Sequence, residues 1–296
     1  MKNKVLNIGY FADGKWGLNC FKQIIHSKKI SIKFVVLRYA NPDLKLMKLA
    51  RKKYIDCYIE QDVNHYSFIE KISKYNVDLL VSMSFDQIFK QPILDLYKNK
   101  IINCHAGKLP EYRGRNILNW ALINGEKDFG ITVHFVNEKI DDGDIILQKI
   151  LKIKENYNYK MLLKISAVEC SRLLFDALKL FVNNKVTSYK QNLKNGFYCK
   201  RRKSGDEIIN WNDKRVNIHN FIKGVRGGGI SAISYIQSNK IKIFKSEIVD
   251  MYMGNKKNGE VVKANKKHIY INTIDGILKI ISYKADILIS KGDILN

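Results

Sequence analysis

The chain has 296 residues, of which 46% are hydrophobic and 27% charged, a composition typical of globular proteins and not of disordered ones. No stretch approaches the ~20 apolar residues of a membrane span, and the five widely spaced cysteines predict neither a disulfide framework nor a zinc ribbon. This use of cysteine fits a reducing cytoplasm.

The formal net charge of +24 has two interpretations. Lysine greatly outnumbers arginine, whose forked guanidinium is the better sign of phosphate or base recognition, so a drift of composition towards lysine is the simpler explanation. The alternative is a preference for phosphate-bearing partners, which include nucleotides as well as tRNA.

Up to residue 105, short apolar runs alternate with stretches of helical spacing. Strands are predicted at 5–12, 31–38, 56–60, 78–85 and 100–105, and helices at 15–26, 44–53, 68–74 and 92–97. This alternation predicts an α/β fold with a doubly wound, mainly parallel sheet. Because ligands of such sheets bind beyond the carboxyl ends of the strands, a cleft is expected after Phe85 and around His105.

The second half begins with a polar loop, followed by predicted strands at 130–137 and 144–153 with a turn at Asp142-Gly143 between them. An amphipathic stretch predicts a helix at 157–182, and the polar, basic residues 183–207 are interpreted mostly as a linker. A helix at 217–225, a glycine run at 227–229 and several short strands between 230 and 295 predict a small β-barrel. The predicted domains are therefore 1–185 and 208–296, joined by a linker at 186–207.

Three polar side chains stand out by their positions. Asn103 and His105 alternate with apolar residues at the end of a predicted strand, so they project from the same side of the sheet, and Asp141 lies in a loop that can return to the same edge. An amide, an imidazole and a carboxylate suit acyl transfer to an amine, because the amide can donate to a developing oxyanion, worth ~3 kcal/mol. The imidazole moves protons near neutral pH and the carboxylate orients it. Taken singly, each residue is equally typical of a strand end or a turn.

The other histidines give weaker signals. His134 lies within a predicted strand between Val133 and Phe135, which favours a structural role. No group of histidines and cysteines has the spacing of a metal site, so no metal is predicted.

The residues around this trio carry a longer pattern. The run N-x-H-x-G-x-L-P-x-Y-R-G-R-N-x-x-N-W begins at Asn103 and is followed by G-I-T-V-H and I-D-x-G-D-I. It resembles the folate-dependent formyltransferase family, which includes enzymes acting on methionyl-tRNA, on glycinamide ribonucleotide and on nucleotide-linked amino sugars. The resemblance is strongest from Asp78 to Ile146 and weaker over the rest of the chain.

The resemblance implies a Rossmann-like catalytic domain, an OB-like C-terminal domain and 10-formyltetrahydrofolate as the formyl donor. It implies that Asn103, His105 and Asp141 are catalytic, with Asp142 ranked behind Asp141. The residues implied to line the folate pocket are Gln87, Ile88, Phe89, Arg115, Asn137, Glu138, Lys139 and Ile140. Many relatives have H-x-S-L-L-P where this chain has Gly107 and Lys108, a difference that could alter how the loop holds substrate.

The implied mechanism is direct transfer of the formyl group. A neutral primary amine attacks the formyl carbon, and Asn103 with protonated His105 stabilises the oxyanion. Asp141 favours the cationic form of His105 and accepts a proton from the amine, directly or through water.

The resemblance leaves the acceptor open between two amines. Family members that act on tRNA carry a basic insertion soon after the second strand, whereas residues 38–60 run directly into a predicted helix. The preferred acceptor is a UDP-, dTDP- or GDP-linked 4-amino sugar used for surface polysaccharide synthesis, with methionyl-tRNA as the alternative. A non-catalytic RNA-binding module is a third hypothesis, and the resemblance also suggests a homodimer.

Overall fold

The computed structural model describes residues 5–225, 230–251, 254, 256–265 and 267–296. The chain forms two compact units. The first comprises Met1–Gly114, Phe129–Leu151 and Lys164–Cys199, and the second comprises Arg115–Asp128, Lys152–Leu163 and Lys200–Asn296. The domain boundaries at 185 and 208 stay a prediction.

Regular structure follows the chain in an alternating order up to His105. The elements are β1 (Leu6–Ala12), α1 (Gly14–Ile24), β2 (Ile30–Leu37), α2 (Leu44–Lys52), β3 (Asp56–Ile59), α3 (Tyr66–Ser73), β4 (Leu79–Met83), α4 (Ile93–Leu96) and β5 (Ile101–His105). All nine predicted elements in this half are therefore present, each within two residues of its predicted ends.

The described part of the second half contains further strands, three α-helices and a short 3₁₀ helix at Leu193–Asn195. In chain order they are β6 (Arg113–Gly114), α5 (Ile117–Ile123), β7 (Asp128–Phe135), β8 (Ile145–Lys152), α6 (Tyr159–Val182), β9 (Tyr198–Cys199), α7 (Arg215–Val225), β10 (Ala232–Ile236), β11 (Asn239–Ile248), β12 (Val261–Ala264), β13 (Ile269–Thr273) and β14 (Gly276–Lys284). The prediction of a loop between β5 and β7 was wrong at β6 and α5. The predicted glycine run at 227–229 lies outside the described residues.

The first unit is built on a seven-stranded sheet with the order β3-β2-β1-β4-β5-β7-β8. Strands β1 to β5 pair in parallel, and β7 joins antiparallel to β5. The strand order reverses at β1, which is the doubly wound arrangement that the sequence predicted. The central strands are buried because their residues are apolar on both faces, as helix-covered parallel sheets require.

Local sequence explains how the helices of this unit begin and pack. The Asp43 carboxylate accepts hydrogen bonds from the first backbone N–H groups of α2, which caps that helix. Helix α1 turns Phe21 and Ile24 towards the sheet. Phe11 of β1 lies among the rings of Phe34, Phe68, Phe85 and Phe89, and this aromatic cluster supports the loop after β4.

The second unit contains a five-stranded antiparallel sheet in the order β10-β11-β14-β13-β12, which curves as a half-barrel. Helix α7 packs on this sheet with Ile218 and Ile222 in the core, and α5 packs on α7. The buried Trp211 donates from Nε1 to Ser234 Oγ at 2.8 Å. The predicted small β-domain is therefore present. Over the described ranges, no helix is both long and apolar enough to span a membrane.

Candidate active site

The pairing of β5 with β7 places four polar side chains on neighbouring strands. Asn103 lies opposite His134, and His105 lies opposite Thr132. Directly opposed residues of an antiparallel pair share a face of the sheet, so both histidines and Asn103 project from the same side. Asn103 Nδ2 lies 3.4 Å from His134 Nε2.

Asp141 joins this group from the loop between β7 and β8. One carboxylate oxygen, Oδ2, lies 3.5 Å from His105 Nδ1, and Oδ1 lies 3.5 Å from His134 Nε2. The backbone N–H of Gly114 also donates to Oδ2 at 2.9 Å. The predicted trio therefore converges, with His134 as a fourth member, and the Asp141 side chain is only 11% exposed.

His105 is held by its other ring nitrogen. Nε2 lies 2.8 Å from the carbonyl oxygen of Tyr112 and donates its hydrogen there, which turns Nδ1 towards Asp141. A Cβ at Gly107 would lie 2.4 Å from His105 Nε2 and 2.5 Å from the Tyr112 oxygen, so a side chain at this position would require His105 or Tyr112 to shift. The glycine that departs from the family pattern thus lies directly against the histidine.

Burial and charge act in opposite directions at this pair. Burial lowers the pKa of His105, and this effect exceeds the opposing influence of the Asp141 charge and the Tyr112 carbonyl. Burial alone would raise the pKa of Asp141, but the His105 charge, the His134 side chain and the Gly114 N–H together hold that pKa well below its usual range. Asp141 is therefore ionised at neutral pH beside an imidazole that is mainly neutral.

The loop that carries Asp141 is closely constrained. Asn137 donates from Nδ2 to Asp142 Oδ1 at 2.6 Å, and its Oδ1 accepts from the Lys139 N–H at 3.0 Å. A Cβ at Gly143 would lie 1.9 Å from the Phe135 oxygen, so only glycine fits there. Asp142 thus serves the loop, whereas Asp141 faces the histidines.

Some of the residues implied for the folate pocket stabilise the loop after β4, and others expose their side chains. The Gln87 amide binds the backbone of Glu60 and Val63, and Phe89 is buried in the aromatic cluster, so both brace the loop after β4. By contrast, Ile88 is 46% exposed and Ile140 is 39% exposed.

The two loops of this predicted pocket lie side by side. Gln91 Nε2 donates to Glu138 Oε1 at 2.7 Å and so links the loop after β4 to the loop before Asp141. Lys139 is exposed between the structural turn at Asn137 and Ile140. Arg115 is exposed and belongs to the second unit. The binding roles of all these residues stay predictions.

His134 was missed by sequence reasoning, which favoured a structural role. Its Nδ1 donates to the Phe135 carbonyl at 2.7 Å, which leaves Nε2 facing Asn103 and Asp141. The signal that could have found it is the antiparallel register, which cannot be read before the pairing of β5 with β7 is known. Within the described ranges, no group of three or more His, Cys, Asp and Glu side chains could hold a metal ion.

We expect His134→Phe to lower kcat roughly 10- to 100-fold, because the Asn103 amide loses the ring nitrogen that accepts its hydrogen bond and fixes its orientation. The pKa of Asp141 should rise in this variant, since His134 is one of the groups that lower it. Steady-state kinetics of the reaction that the resemblance implies would measure the loss, with the exposed His26→Phe as control. Unchanged kcat in a folded variant would return His134 to a purely structural role.

Comparison with known proteins gives matches over most of the chain. Residues 26–178 match the formyl transferase family model, and residues 202–286 match the model of the formyl transferase C-terminal domain. A methionyl-tRNA formyltransferase of Syntrophomonas wolfei is 34% identical over 214 residues, covering 72% of this chain and 68% of that protein. The bifunctional polymyxin resistance protein ArnA of Wigglesworthia glossinidia brevipalpis is 31% identical over 83% of this chain, which spans only 38% of that protein.

Two solved structures share the fold over nearly their whole length. WlaRD, a sugar 3N-formyl transferase crystallised with dTDP and 5-N-formyl-THF, has 20% sequence identity and a TM-score of 0.68, covering 96% of this chain and 99% of that one. An N-formyltransferase from Helicobacter canadensis, in complex with folinic acid and dTDP-3-aminofucose, has 21% identity and a TM-score of 0.67. Its match covers 95% of this chain and 100% of that one.

Proposed function

This chain belongs to the formyl transferase family, and we propose that it moves a formyl group from 10-formyltetrahydrofolate to the primary amine of a nucleotide-linked amino sugar. Membership of this family makes the chain a folate-dependent formyltransferase, and the identity of the acceptor is what we propose. The observation that carries the chemistry is the convergence of Asn103, His105 and Asp141 at one strand end. The product would serve surface polysaccharide synthesis.

The residues beside the trio fit a formyl-folate donor. Ile88 and Ile140 expose apolar side chains on the two loops that the Gln91–Glu138 hydrogen bond links, as contact with a flat heterocycle requires. Such a donor supplies an activated formyl carbon and a nitrogen leaving group. The chain's own residues must then orient it and handle charge and protons.

Asn103 is placed to stabilise negative charge on the formyl oxygen. One of its amide hydrogens points to His134 Nε2 and fixes the side chain, which leaves the second hydrogen to donate to the oxygen. One such donor contributes ~3 kcal/mol to the transition state. The resemblance implied that protonated His105 also contacts the oxyanion. Because the Tyr112 carbonyl already accepts the His105 Nε2 hydrogen, we assign the oxyanion contact to Asn103 alone.

Proton transfer falls to His105 and Asp141. The acceptor amine reacts in its neutral form, and amines of this class titrate near ~8. Positive charge develops on the attacking nitrogen as the new bond forms, and a nearby carboxylate stabilises that charge. His105 Nδ1 can take the proton as the bond forms. The resulting cation is stabilised by Asp141 Oδ2 and the Tyr112 carbonyl until the proton passes to the leaving nitrogen.

Two observations favour an amino-sugar acceptor. Only residues 38–43 separate β2 from α2, so the connection has no room for the basic insertion expected of enzymes that act on tRNA. WlaRD, which was crystallised with dTDP, and the Helicobacter canadensis enzyme in complex with dTDP-3-aminofucose are similar to this chain over almost the full length of both units.

Methionyl-tRNA remains the second candidate acceptor. Its support is the 34% identity with a methionyl-tRNA formyltransferase, which exceeds the identity with either sugar-modifying neighbour. The high content of lysine would favour a polyanionic partner of this kind.

A direct competition would decide between the acceptors. The purified full chain would receive 10-formyltetrahydrofolate with dTDP-, UDP- and GDP-linked 3-amino and 4-amino sugars, or with methionyl-tRNA, and formylated product would be identified by mass spectrometry. We expect turnover with one nucleotide sugar and a kcat/KM at least ~100-fold lower with tRNA. Formylation of tRNA alone would overturn the proposed acceptor, and the Asn103→Ala variant serves as the inactive control.

A further inference from the structure

Residues 189–199, here called the strap, return to the histidine cluster after α6. Tyr189 and Ile145 exchange two backbone hydrogen bonds, at 2.9 and 3.0 Å, which fixes the start of the strap beside β8. The end of the strap is β9, which pairs in parallel with β6. The strap lies wholly within the linker that the sequence predicts at 186–207, and its residues contact the loop of Asp141.

Within the strap, Gln191 binds this loop directly. Its Nε2 donates to the carbonyl oxygens of Asp141 and Gly143, at 3.0 and 2.7 Å. Both hydrogens of one amide are therefore used on the two residues that flank Asp142. Gln191 Oε1 is buried without a hydrogen-bond partner in the described part of the chain, which is an unfavourable state that the two donated bonds must offset.

The strap also reaches the carboxylate of Asp141 through β6. The Arg113 N–H donates to the Phe197 oxygen at 3.2 Å, and the ring of Phe197 lies 4.6 Å from that of Tyr112. The adjoining N–H of Gly114 is the group that donates to Asp141 Oδ2. Gln191 therefore binds the backbone carbonyl of Asp141, and β6 binds its carboxylate. Gln191 lies in the strap, and β6 pairs with the end of the strap.

We propose that Gln191 is a positioning residue that holds the Asp141 carboxylate against His105. This inference rests on the proposed function, in which Asp141 stabilises the cationic form of His105. The strap is then a working part of the catalytic site and not a passive connection between units.

The backbone of Asp141 explains why such a clamp is needed. Its φ is 53°, in the left-handed region that non-glycine residues occupy only when surrounding contacts hold them. Removing both donors from the Asp141 and Gly143 carbonyls frees the loop to relax towards an extended conformation. A displacement of ~1 Å at a reacting group can reduce the rate about 10²-fold.

The test compares Gln191→Met, which keeps the volume and loses both donors, with the wild-type chain. Lys194→Ala is the control, because Lys194 is an exposed residue of the same strap. The first readout is the pKa of His105, followed by NMR of histidine-labelled protein and assigned with His105→Gln. Displacing the Asp141 charge should lower the His105 pKa in Gln191→Met and leave it unchanged in Lys194→Ala, because that charge is the larger of the two influences that oppose burial.

The second readout is kinetic. Gln191→Met should lower kcat about 10- to 100-fold with KM for the formyl-folate donor nearly unchanged. Gln191→Glu adds a pH test, since its carboxyl group can donate only when protonated. The activity of this variant relative to wild type should fall as the pH rises, whereas a role in packing alone predicts a constant ratio.

The outcomes separate the two proposals. If the wild-type chain formylates no amino sugar, the proposed acceptor fails, yet the His105 pKa still decides the role of Gln191. An unchanged His105 pKa in folded Gln191→Met would overturn the positioning role. If that variant does not fold, Gln191→Asn, whose amide is one methylene too short to reach both carbonyls, takes its place with the same expected shift.

Discussion

His105→Gln is expected to lower kcat for formyl transfer about 10²- to 10⁴-fold while leaving the affinity for a formyl-folate donor nearly unchanged. The glutamine amide can still donate to the Tyr112 carbonyl, so the local fold is kept, but it has no atom that can accept a proton as Nδ1 does. The measurement is steady-state kinetics with the acceptor that the wild-type chain uses, together with equilibrium binding of 5-formyltetrahydrofolate.

The pH profile of the wild-type enzyme gives this prediction a second test. Protonation of His105 removes the base, so kcat should fall as the pH drops, with a midpoint below the usual histidine pKa because burial lowers that pKa. Protonation of the acceptor amine adds a separate fall in rate below pH ~8, which both variants should keep. His105→Gln should lack the lower limb that belongs to His105, whereas the exposed His26→Gln should retain it. A full rate in folded His105→Gln would contradict the proton-transfer role.

Asp141→Asn is expected to reduce kcat by up to about 10⁴-fold, by analogy with buried carboxylates that orient a catalytic imidazole. The substitution keeps the shape of the side chain and removes the negative charge between the two histidines. The pKa of His105 should fall further, because the Asp141 charge is the main group that raises it. A matched control is Asp142→Asn, whose side chain contacts Asn137 and not the histidines.

The same variant predicts a dependence of stability on pH. The pKa of Asp141 in the folded chain lies below its unfolded value of ~3.9, so its ionised form stabilises the fold above that pH. This contribution is lost as the pH falls through the folded pKa, because the proton then binds in both states. Urea denaturation of wild type and Asp141→Asn should therefore give free energies of unfolding that differ most near neutrality and converge in acid. A difference that does not change with pH would contradict this account.

Much of the fold was predictable because its sequence patterns are local. The runs that form β1 and β4 are mainly apolar on both faces, which is the pattern of a helix-covered parallel strand. The trio was predictable for two reasons: Asn103 and His105 alternate along one strand, and the surrounding run has the pattern of a known family. The location of Asp141 beside them followed from the same resemblance.

The parts that were missed depend on contacts distant in sequence. Helix α5 has buried residues on most of its faces and a left-handed Asn116 at its start that makes no capping bond, so it lacks both the 3.6-residue period and a start signal. Strands β6 and β9 have two residues each, which is too short to show an alternation of polar and apolar residues. Nothing in the sequence distinguishes Gln191 from the other polar residues of the predicted linker. Its role follows only from its contacts with the loop of Asp141.

The register between β5 and β7 limits how the chain can change in length. Asn103 faces His134 and His105 faces Thr132, so deleting Val133 would turn His134 to the opposite side of the sheet and separate it from Asn103. Insertions among residues 124–127, ahead of β7, leave this alternation intact. Insertions and deletions should therefore be tolerated in that turn and should inactivate the protein when they fall within β7. A library of single-codon insertions and deletions, scored for activity, would test this expectation.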